Sequence, residues 1–181
     1  MKVNIITKNP SKIFTAENLF KKYNIETYFI EKDYPEIQAD TSIEIARITA
    51  MQASKDLNIP VIREDHSFFL NAWGVPGPYM NYFERKLSVE KLLKMMKNES
   101  DRTGCFEIAT VYAEPNGNVK EYVFQIPIKI AFEEKGELQK NWDRVIQFEN
   151  ETRTFAEYPE EDRSEVWEKN YKAIAEELIK N

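Results

Sequence analysis

The sequence contains few of the residues on which several common protein chemistries depend. Its 181 residues include one cysteine, Cys105, and one histidine, His66. A single cysteine excludes a disulfide framework and a cysteine-based zinc cluster, and it suits a reducing compartment such as the cytoplasm. A single histidine excludes His-rich metal sites and most histidine-based catalytic triads. Any catalysis by this chain must therefore use carboxylates, lysines and a bound metal ion.

The sequence also lacks long apolar runs and an excess of positive charge. No apolar run approaches the roughly 20 residues needed to cross a bilayer, and the first residues do not resemble a signal peptide. The formal net charge of −6 argues against nucleic acid as the main partner. With 42% apolar and 31% charged residues, the chain is long enough to bury a sizeable core. We therefore expect a cytoplasmic protein without a membrane partner, with residues 1–181 forming one domain.

The first half of the chain alternates between strand-like and helix-like patterns. Short β-branched runs predict strands at Lys2–Ile6 and Thr27–Glu31, and a short third strand from Pro60 to Glu64-Asp65, which Phe68-Phe69-Leu70 continues. Pro10 is placed to begin a helix between the first two strands. Two long β-rich runs and a terminal helix follow. This order predicts an α/β fold with a mixed β-sheet and helices on its faces.

Three local signals predict how individual elements begin or turn. Thr41 and Glu44 have the spacing of a capping box, in which each side chain accepts a hydrogen bond from the other residue's backbone. Asn116-Gly117, between the two β-rich runs, predicts a long hairpin with a type I′ turn. A final helix is expected from about Pro159. Its predicted apolar face comprises Trp167, Tyr171, Ile174 and Leu178.

The turn between the first strand and the first helix is a candidate phosphate site. It contains Thr7, Asn9 and Lys12. A helix N-terminus offers unpaired N–H groups and a partial positive charge, to which Lys12 adds a full charge. The turn lacks the glycines of a Walker A loop. The alternative is an ordinary capped helix with a surface lysine.

Adjacent carboxylates at the end of the third predicted strand are candidate metal ligands. Consecutive strand residues point to opposite faces, so only one of Glu64 and Asp65 can face a given cleft. Mg²⁺ needs few protein oxygens, and Glu36 in the preceding loop is the natural second ligand. The alternative is a solvated strand end. His66, next to these carboxylates, is either a proton carrier or a polar packing residue.

A second candidate pair, Trp142-Asp143, lies in the last third of the chain. An aromatic ring suits stacking on a nucleobase, and a carboxylate suits the ring N–H donors of that base. Taken alone, the dipeptide does not decide between base recognition and packing.

The order of these motifs carries more information than any one of them. Thr-x-Asn-x-x-Lys is followed by Tyr-Pro-Glu-Ile-Gln, then Pro-Val-Ile-x-Glu-Asp-x-x-Phe-Phe, Pro-Gly-x-Tyr, Trp-Asp and Thr-Phe-Ala-Glu. This sequence resembles the inosine triphosphate pyrophosphatase family, whose members remove non-canonical purine nucleotides. The resemblance extends over about residues 2 to 178 and is most specific in the first half.

The resemblance implies a long, curved mixed sheet with helices on its faces, in two lobes around a central cleft, and a homodimer. It implies hydrolysis of nucleoside triphosphates such as ITP and XTP to a monophosphate and pyrophosphate, with Mg²⁺. The phosphates would be held by Thr7, Asn9 and Lys12. Metal binding would fall to Glu36 and Asp65, and Asp65 would also accept the proton of the attacking water.

The same resemblance places the base pocket at Trp142 and Asp143, and it shows where this chain departs from the family pattern. His66 stands where the family usually has serine, and Arg163 is the one cation near a position that usually holds lysine. A Ser-His-Arg trio that grips the purine is absent from the region 166–169. Two hypotheses follow. The first is an active pyrophosphatase with altered base specificity, in which Lys12 and Asp65 are catalytic and His66 and Arg163 contact substrate. The second is a catalytically impaired nucleotide-binding or dimer-forming protein.

Overall fold

The computed structural model describes residues 1–137, 142–159 and 164–180. Over these residues there are seven strands and six helices, with three short 3₁₀ turns. The strands are β1 Lys2–Ile6, β2 Glu26–Ile30, β3 Val61–Leu70, β4 Val75–Gly77, β5 Thr103–Ala113, β6 Val119–Ile130 and β7 Ile146–Phe148. The helices are α1 Pro10–Lys22, α2 Ser42–Leu57, α3 Met80–Lys86, α4 Val89–Met95, α5 Ser164–Trp167 and α6 Lys169–Leu178.

The seven strands form one mixed sheet. Its order is β2-β1-β3-β5-β6-β7, with β4 paired to β3. Strand β1 is parallel to β2 along its whole length and parallel to β3, with Ile5 opposite Ile62. The pairs β3–β4 and β6–β7 are antiparallel. The predicted α/β class with a mixed sheet is confirmed.

Contacts along the chain divide it into two compact units. The first unit comprises Met1–His66, Ile108–Phe124 and Ser164–Asn181, and the second comprises Ser67–Glu107 and Gln125–Arg163. Strands β3, β5 and β6 each contribute residues to both units. That these units are two lobes of one domain around a cleft stays a prediction.

The first unit buries apolar side chains on both faces of its strands. Ile5 and Ile6 are consecutive in β1, so they point to opposite faces, and each belongs to a different core cluster. Helices α1 and α6 cover one face with a cluster of Val3, Ile5, Ala16, Leu19, Phe20, Ile25, Ile62, Tyr171, Ile174 and Ala175. On the other face, the alanines of α2 allow close packing in a cluster of Ile6, Ala46, Ala50, Ala53, Val61, Val111 and Ala113.

The second unit has an aromatic core. Phe68 lies 4.8 Å from Phe106 between ring centroids and 5.9 Å from Trp142, and Phe148 lies 4.7 Å from Phe155. Strand β5 passes close to β3 here because it begins with Thr103-Gly104: a Cβ on Gly104 would lie 2.1 Å from the carbonyl oxygen of Phe69. Among the described residues, no helix combines the length and the apolarity that a membrane crossing would require.

Two of the local predictions were wrong in detail. The hairpin strands have the expected bounds, but the loop is a turn closed by Gly117 N–H donating to the Glu114 carbonyl. Only Gly117 has a positive φ, of 92°, whereas a type I′ turn needs two such residues. At the start of α2, the Thr41 hydroxyl donates to the Glu44 carboxylate and makes no hydrogen bond to the backbone. The expected capping box is therefore replaced by a bond between the two side chains.

The terminal helix and the position of Glu64-Asp65 within the third strand also differ from the prediction. The terminal helical segment is divided at Glu168 into α5 and α6, and Tyr171 and Ile174 are buried on α6 as expected. Strand β3 runs unbroken from Val61 to Leu70, so the predicted continuation through Phe68-Phe69-Leu70 is confirmed, but no strand end separates it from Glu64-Asp65. Glu64 and Asp65 therefore lie in the middle of a strand, and it is the neighbouring strand β1 that ends beside them, at Ile6.

Candidate active site

The turn that follows β1 is stabilised by hydrogen bonds from its backbone to its own side chains. The Asn9 backbone N–H donates to the hydroxyl of Thr7, which is buried, at 3.1 Å. The Asn9 side chain caps α1 by accepting from the backbone N–H of Ser11 at 3.0 Å and of Lys12 at 3.4 Å. Pro10 is the first helical residue, as predicted, and the first turn of α1 contains no acidic side chain. The helix start therefore keeps its positive electrostatic character.

Lys12 extends from this turn onto β3. Its ammonium group donates to the backbone carbonyl of Glu64 at 2.8 Å and lies 4.0 Å from the Glu64 carboxylate. Burial lowers the pKa of Lys12 below its ordinary value, although the nearby carboxylates of Glu64 and Asp65 oppose this. Lys12 is thus a largely desolvated cation, which strengthens its interaction with any anion that enters the turn.

Glu64 is a buried carboxylate that is fully engaged within the protein. Its Oε1 lies 2.7 Å from His66 Nε2, and its Oε2 accepts from the Thr110 hydroxyl at 3.3 Å. Burial acts to raise the pKa of Glu64, but His66, Lys12 and the Thr110 hydrogen bond together lower it below its ordinary value. Glu64 is therefore ionised, and its carboxylate contacts both the Lys12 ammonium and the His66 ring.

A chain of hydrogen bonds connects this carboxylate to helix α6. The side-chain amide of Asn170, which is buried, donates to the Thr110 hydroxyl at 3.0 Å and to the backbone carbonyls of Ile108 and Tyr122. Thr110 in turn donates to Glu64. Burial, followed by the Glu64 carboxylate, raises the pKa of Tyr171 well above its ordinary value. Helix α6 thereby fixes the face of β3 that carries Glu64.

Asp65 differs from its neighbour Glu64 in its surroundings. Alternation along β3 places it on the same face as Arg63, opposite Glu64 and His66. Burial raises the pKa of Asp65 above its ordinary value, opposed by the positive charges of Lys12 and Arg63. A carboxylate with a raised pKa is a better proton acceptor than an ordinary aspartate. The two adjacent carboxylates therefore differ in the direction in which the protein shifts their pKa values.

His66 combines a hydrogen bond with aromatic stacking. Its ring shares the hydrogen bond with Glu64 and stacks on Trp167 with centroids 5.6 Å apart and planes 13° from parallel. Burial, followed by the positive charge of Lys12, lowers the pKa of His66 below its ordinary value. The ring is therefore neutral near pH 7 and donates Nε2–H to Glu64.

Glu36 contributes the second carboxylate on the side of Asp65. Its negative charge acts on the pKa of Asp65, so the two carboxylates are close enough to interact. Two carboxylates together with substrate phosphates form the type of donor set that Mg²⁺ prefers. Within the described ranges, no group of three or more His, Cys, Asp or Glu side chains could hold a metal ion. Glu36 and Asp65 alone would therefore need further oxygen ligands, such as those of a phosphate, to complete a Mg²⁺ site.

The residues expected at a base pocket lie in the second unit. Trp142 is 1% exposed, packs against Phe68 and donates its Nε1–H to the backbone carbonyl of Leu87 at 2.9 Å. A ring so enclosed has no free face, so its packing favours a core role over stacking on a base. Asp143 is also buried. Arg163 lies outside the described residues.

The segment that carries the Ser-His-Arg trio in the resembled family makes contacts within the first unit. Trp167 stacks on His66, and the Glu168 carboxylate pairs with Lys22 at 3.1 Å. The Lys169 ammonium lies 5.2 Å above the ring of Phe124. Each of these three side chains therefore makes an internal contact.

Sequence reasoning missed Arg63, Thr110 and Asn170. Thr110 and Asn170 are distant in sequence from β3, and nothing local marks them. Arg63 did carry a signal, because a charged residue interrupts the apolar run Pro60-Val61-Ile62 of a strand that is otherwise buried.

An open α/β sheet with a cation at a helix start and carboxylates beside it defines a class of protein suited to binding phosphorylated ligands. Comparison with known proteins identifies the family within that class. The sequence model of the Ham1 family matches residues 3–177, and the chain belongs to this family. It is 35% identical to the dITP/XTP pyrophosphatase of Methanopyrus kandleri over 92% of this chain and 89% of that protein. It is 34% identical to the protein of the same name from Methanosarcina mazei, over 91% and 89%.

Solved structures agree on the fold. The HAM1 protein from Coxiella burnetii superimposes with a TM-score of 0.80 over 100% of both chains, at 20% identity. The Ham1 protein of Staphylococcus aureus gives a TM-score of 0.80 over 99% of this chain and 98% of that chain, at 22% identity. The resemblance inferred from the order of the motifs is confirmed.

Proposed function

We propose that this protein hydrolyses non-canonical purine nucleoside triphosphates, of the dITP and XTP type, to the nucleoside monophosphate and pyrophosphate. The names of its relatives supply the substrate class. The single observation that carries the proposal for this chain is the buried Lys12 ammonium at the start of α1, which donates to the Glu64 carbonyl of β3 and feels the charge of Asp65, a carboxylate whose pKa is raised by burial.

In the proposed reaction, a water oxygen forms a bond to the α-phosphorus while the bond from that phosphorus to the α–β bridging oxygen breaks. Asp65 accepts the proton that the water loses, and its raised pKa suits this task. The Lys12 ammonium binds the phosphate oxygens, and together with the positive end of the α1 dipole it stabilises the negative charge of the leaving pyrophosphate. Thr7 and Asn9 keep the turn in the conformation that presents these groups.

We further propose that Glu36 and Asp65 hold a Mg²⁺ ion. Such an ion supplies neutralisation of negative charge on the phosphate oxygens when it is bound. Glu64 has a different role, which is to fix Lys12 and His66 through its buried carboxylate. His66 is proposed as a positioning residue on the same face as Glu64.

We also propose a cellular compartment and an oligomeric state. The chain is proposed to act in the cytoplasm, consistent with its single cysteine, and as a homodimer, as the family resemblance implies.

The test is pyrophosphate release from a panel of triphosphates that includes dITP, XTP, ITP, ATP and GTP. We expect turnover of dITP or XTP in the presence of Mg²⁺, and a fall of about 10²–10³-fold in kcat/KM for Lys12→Met. Lys8→Met is the matched control, because Lys8 is half-exposed in the same turn and pairs with Asp33 at 2.7 Å. It should retain activity within about threefold, as expected of a surface ion pair. Binding of triphosphates without any pyrophosphate release would refute the proposal and indicate a nucleotide-binding protein.

A further inference from the structure

The carboxylate of Glu36 already has a cationic partner within the protein. An Nη nitrogen of Arg63 donates to Glu36 Oε1 at 2.5 Å. The other Nη nitrogen donates to the backbone carbonyl of Ile6, where β1 ends, at 3.2 Å. The guanidinium group therefore connects the last residue of β1 to the loop between β2 and α2.

The two partners differ in how firmly they are held. The Arg63 side chain is 16% exposed, whereas the Glu36 side chain is 58% exposed. The Nε atom of Arg63 is buried without a hydrogen-bond partner. Arg63 therefore belongs to the folded strand, while Glu36 reaches it from a loop that contains no helix or strand.

A guanidinium in this position competes with a metal ion. A divalent cation that binds Glu36 Oε1 must break the ion pair, and one that binds the other oxygen must sit beside a fixed positive charge. Both situations lower the affinity for the cation, because like charges repel strongly where water is partly excluded. A triphosphate would offset this repulsion by adding negative oxygens as ligands.

We infer that Arg63 is the resident counter-ion of Glu36 and keeps the divalent cation from binding stably until a triphosphate is present. This inference rests on the proposed function, since it concerns the same site. It makes Arg63 a positioning residue that acts on the metal through Glu36, and it predicts that the cation and the nucleotide bind together.

Direct measurement of metal binding tests the inference without turnover. The probe is Mn²⁺, titrated into the nucleotide-free protein and followed by the loss of its free electron paramagnetic resonance signal. We expect Arg63→Leu to bind Mn²⁺ at least about fivefold more tightly than the unmodified chain, within the range of coupling between residues in contact. Arg63→Lys should give a smaller gain, because lysine lacks the forked guanidinium but keeps the charge.

Two controls separate the ion pair from a general change in charge. Arg47→Leu removes one positive charge and breaks the pair of Arg47 with Glu121, which also lies in the first unit. It should leave Mn²⁺ affinity within about twofold of the unmodified protein, because the charge of Arg47 is balanced by Glu121 and exposed ion pairs act weakly. In the background of Glu36→Gln, the effect of Arg63→Leu should disappear.

The outcomes distinguish this inference from the proposed function. Equal or weaker Mn²⁺ binding by both Arg63 variants overturns the inference, and so does a gain that persists in the Glu36→Gln background. Arg63→Lys decides the matter if Arg63→Leu does not fold. If the inference is overturned but the unmodified protein releases pyrophosphate, the proposed function stands. If Mn²⁺ binds more tightly to the variants but the unmodified protein hydrolyses no triphosphate, the proposed function alone fails.

Discussion

The two units of the chain bury different kinds of side chain. The first unit keeps a charged cluster of Lys12, Glu64 and Asp65 beside its apolar clusters, with His66 and the half-buried Arg63 next to it. The aromatic core of the second unit instead holds Trp142, whose one side-chain donor bonds to a backbone carbonyl.

The difference underlies our expectation that the first unit contributes the chemistry. Burying a charged group is unfavourable unless the group is paired. Burial is the main cause of the shifted pKa values of Lys12 and Asp65, so the first unit keeps two charged groups whose loss of solvent is not fully compensated. In the second unit the polar atoms of Trp142 are satisfied by the protein itself. We therefore expect substitutions in the first unit to change the reaction more than stability, and substitutions in the second unit to do the reverse.

The largest expected effect is that of Asp65→Asn. This substitution removes the proposed proton acceptor, so pyrophosphate release should fall by about 10²–10⁴-fold. The folded protein should be as stable as the unmodified one or more so, because a carboxyl group whose pKa is raised by folding destabilises the native state at neutral pH. Kinetics and urea denaturation at pH 7.5 check both statements. Retention of more than a few per cent of the activity would remove Asp65 from this role.

In the second unit, Gly104→Ala should act on stability. Its added Cβ would meet the Phe69 carbonyl at 2.1 Å, so we expect a loss of about 1–3 kcal/mol in the free energy of unfolding. Gly74→Ala is a control in the same unit: Gly74 has a φ of 68° but no atom within 4 Å of the added Cβ. Gly74→Ala therefore measures the cost of a positive φ without a steric clash. Denaturation curves that show no larger loss for Gly104→Ala would contradict the close packing of β5 on β3.

Base discrimination is expected to be weaker than in relatives that carry the Ser-His-Arg trio. Trp167, Glu168 and Lys169 stand in that region and make internal contacts. Losing a polar contact that distinguishes two bases removes a preference on the order of 1–3 kcal/mol. The ratio of kcat/KM for ITP over ATP measures this. A ratio of several hundred or more would show that another residue recognises the 6-keto group.

The smallest expected effect is a dependence of stability on pH through His66. Its pKa is lowered in the folded state by burial, so as pH falls below about 6.5 the unfolded chain takes up a proton that the folded chain resists. The His66 contribution to stability should therefore decrease between pH 7.5 and 5.5, by about 1 kcal/mol or less.

His66→Gln isolates this contribution from those of the neighbouring carboxylates. In metal-free buffer with a chelator, the variant should lose less stability on acidification than the unmodified protein. A larger loss in the variant would mean that His66 becomes protonated and pairs more strongly with Glu64 in the folded state.

Local interactions explain what the sequence by itself determined. Asn9 and Pro10 specify the start of α1 through a side-chain cap and a fixed φ, and these need no distant partner. The long β-rich runs specify the hairpin strands, and period-2 alternation already separates Glu64 from Asp65 onto opposite faces of β3. The order of the motifs was enough to identify the family.

Only the tertiary structure decided which of these residues meet. Thr110 donates to Glu64 and is itself held by Asn170, and Arg63 forms an ion pair with Glu36. All of these contacts join segments that are far apart in sequence. Burial likewise decided that Trp142 packs in a core and that Asp65 has a raised pKa. Alternation along a strand fixes the face to which a side chain points, but the charge and solvent it finds there come from the other elements that fold against that strand.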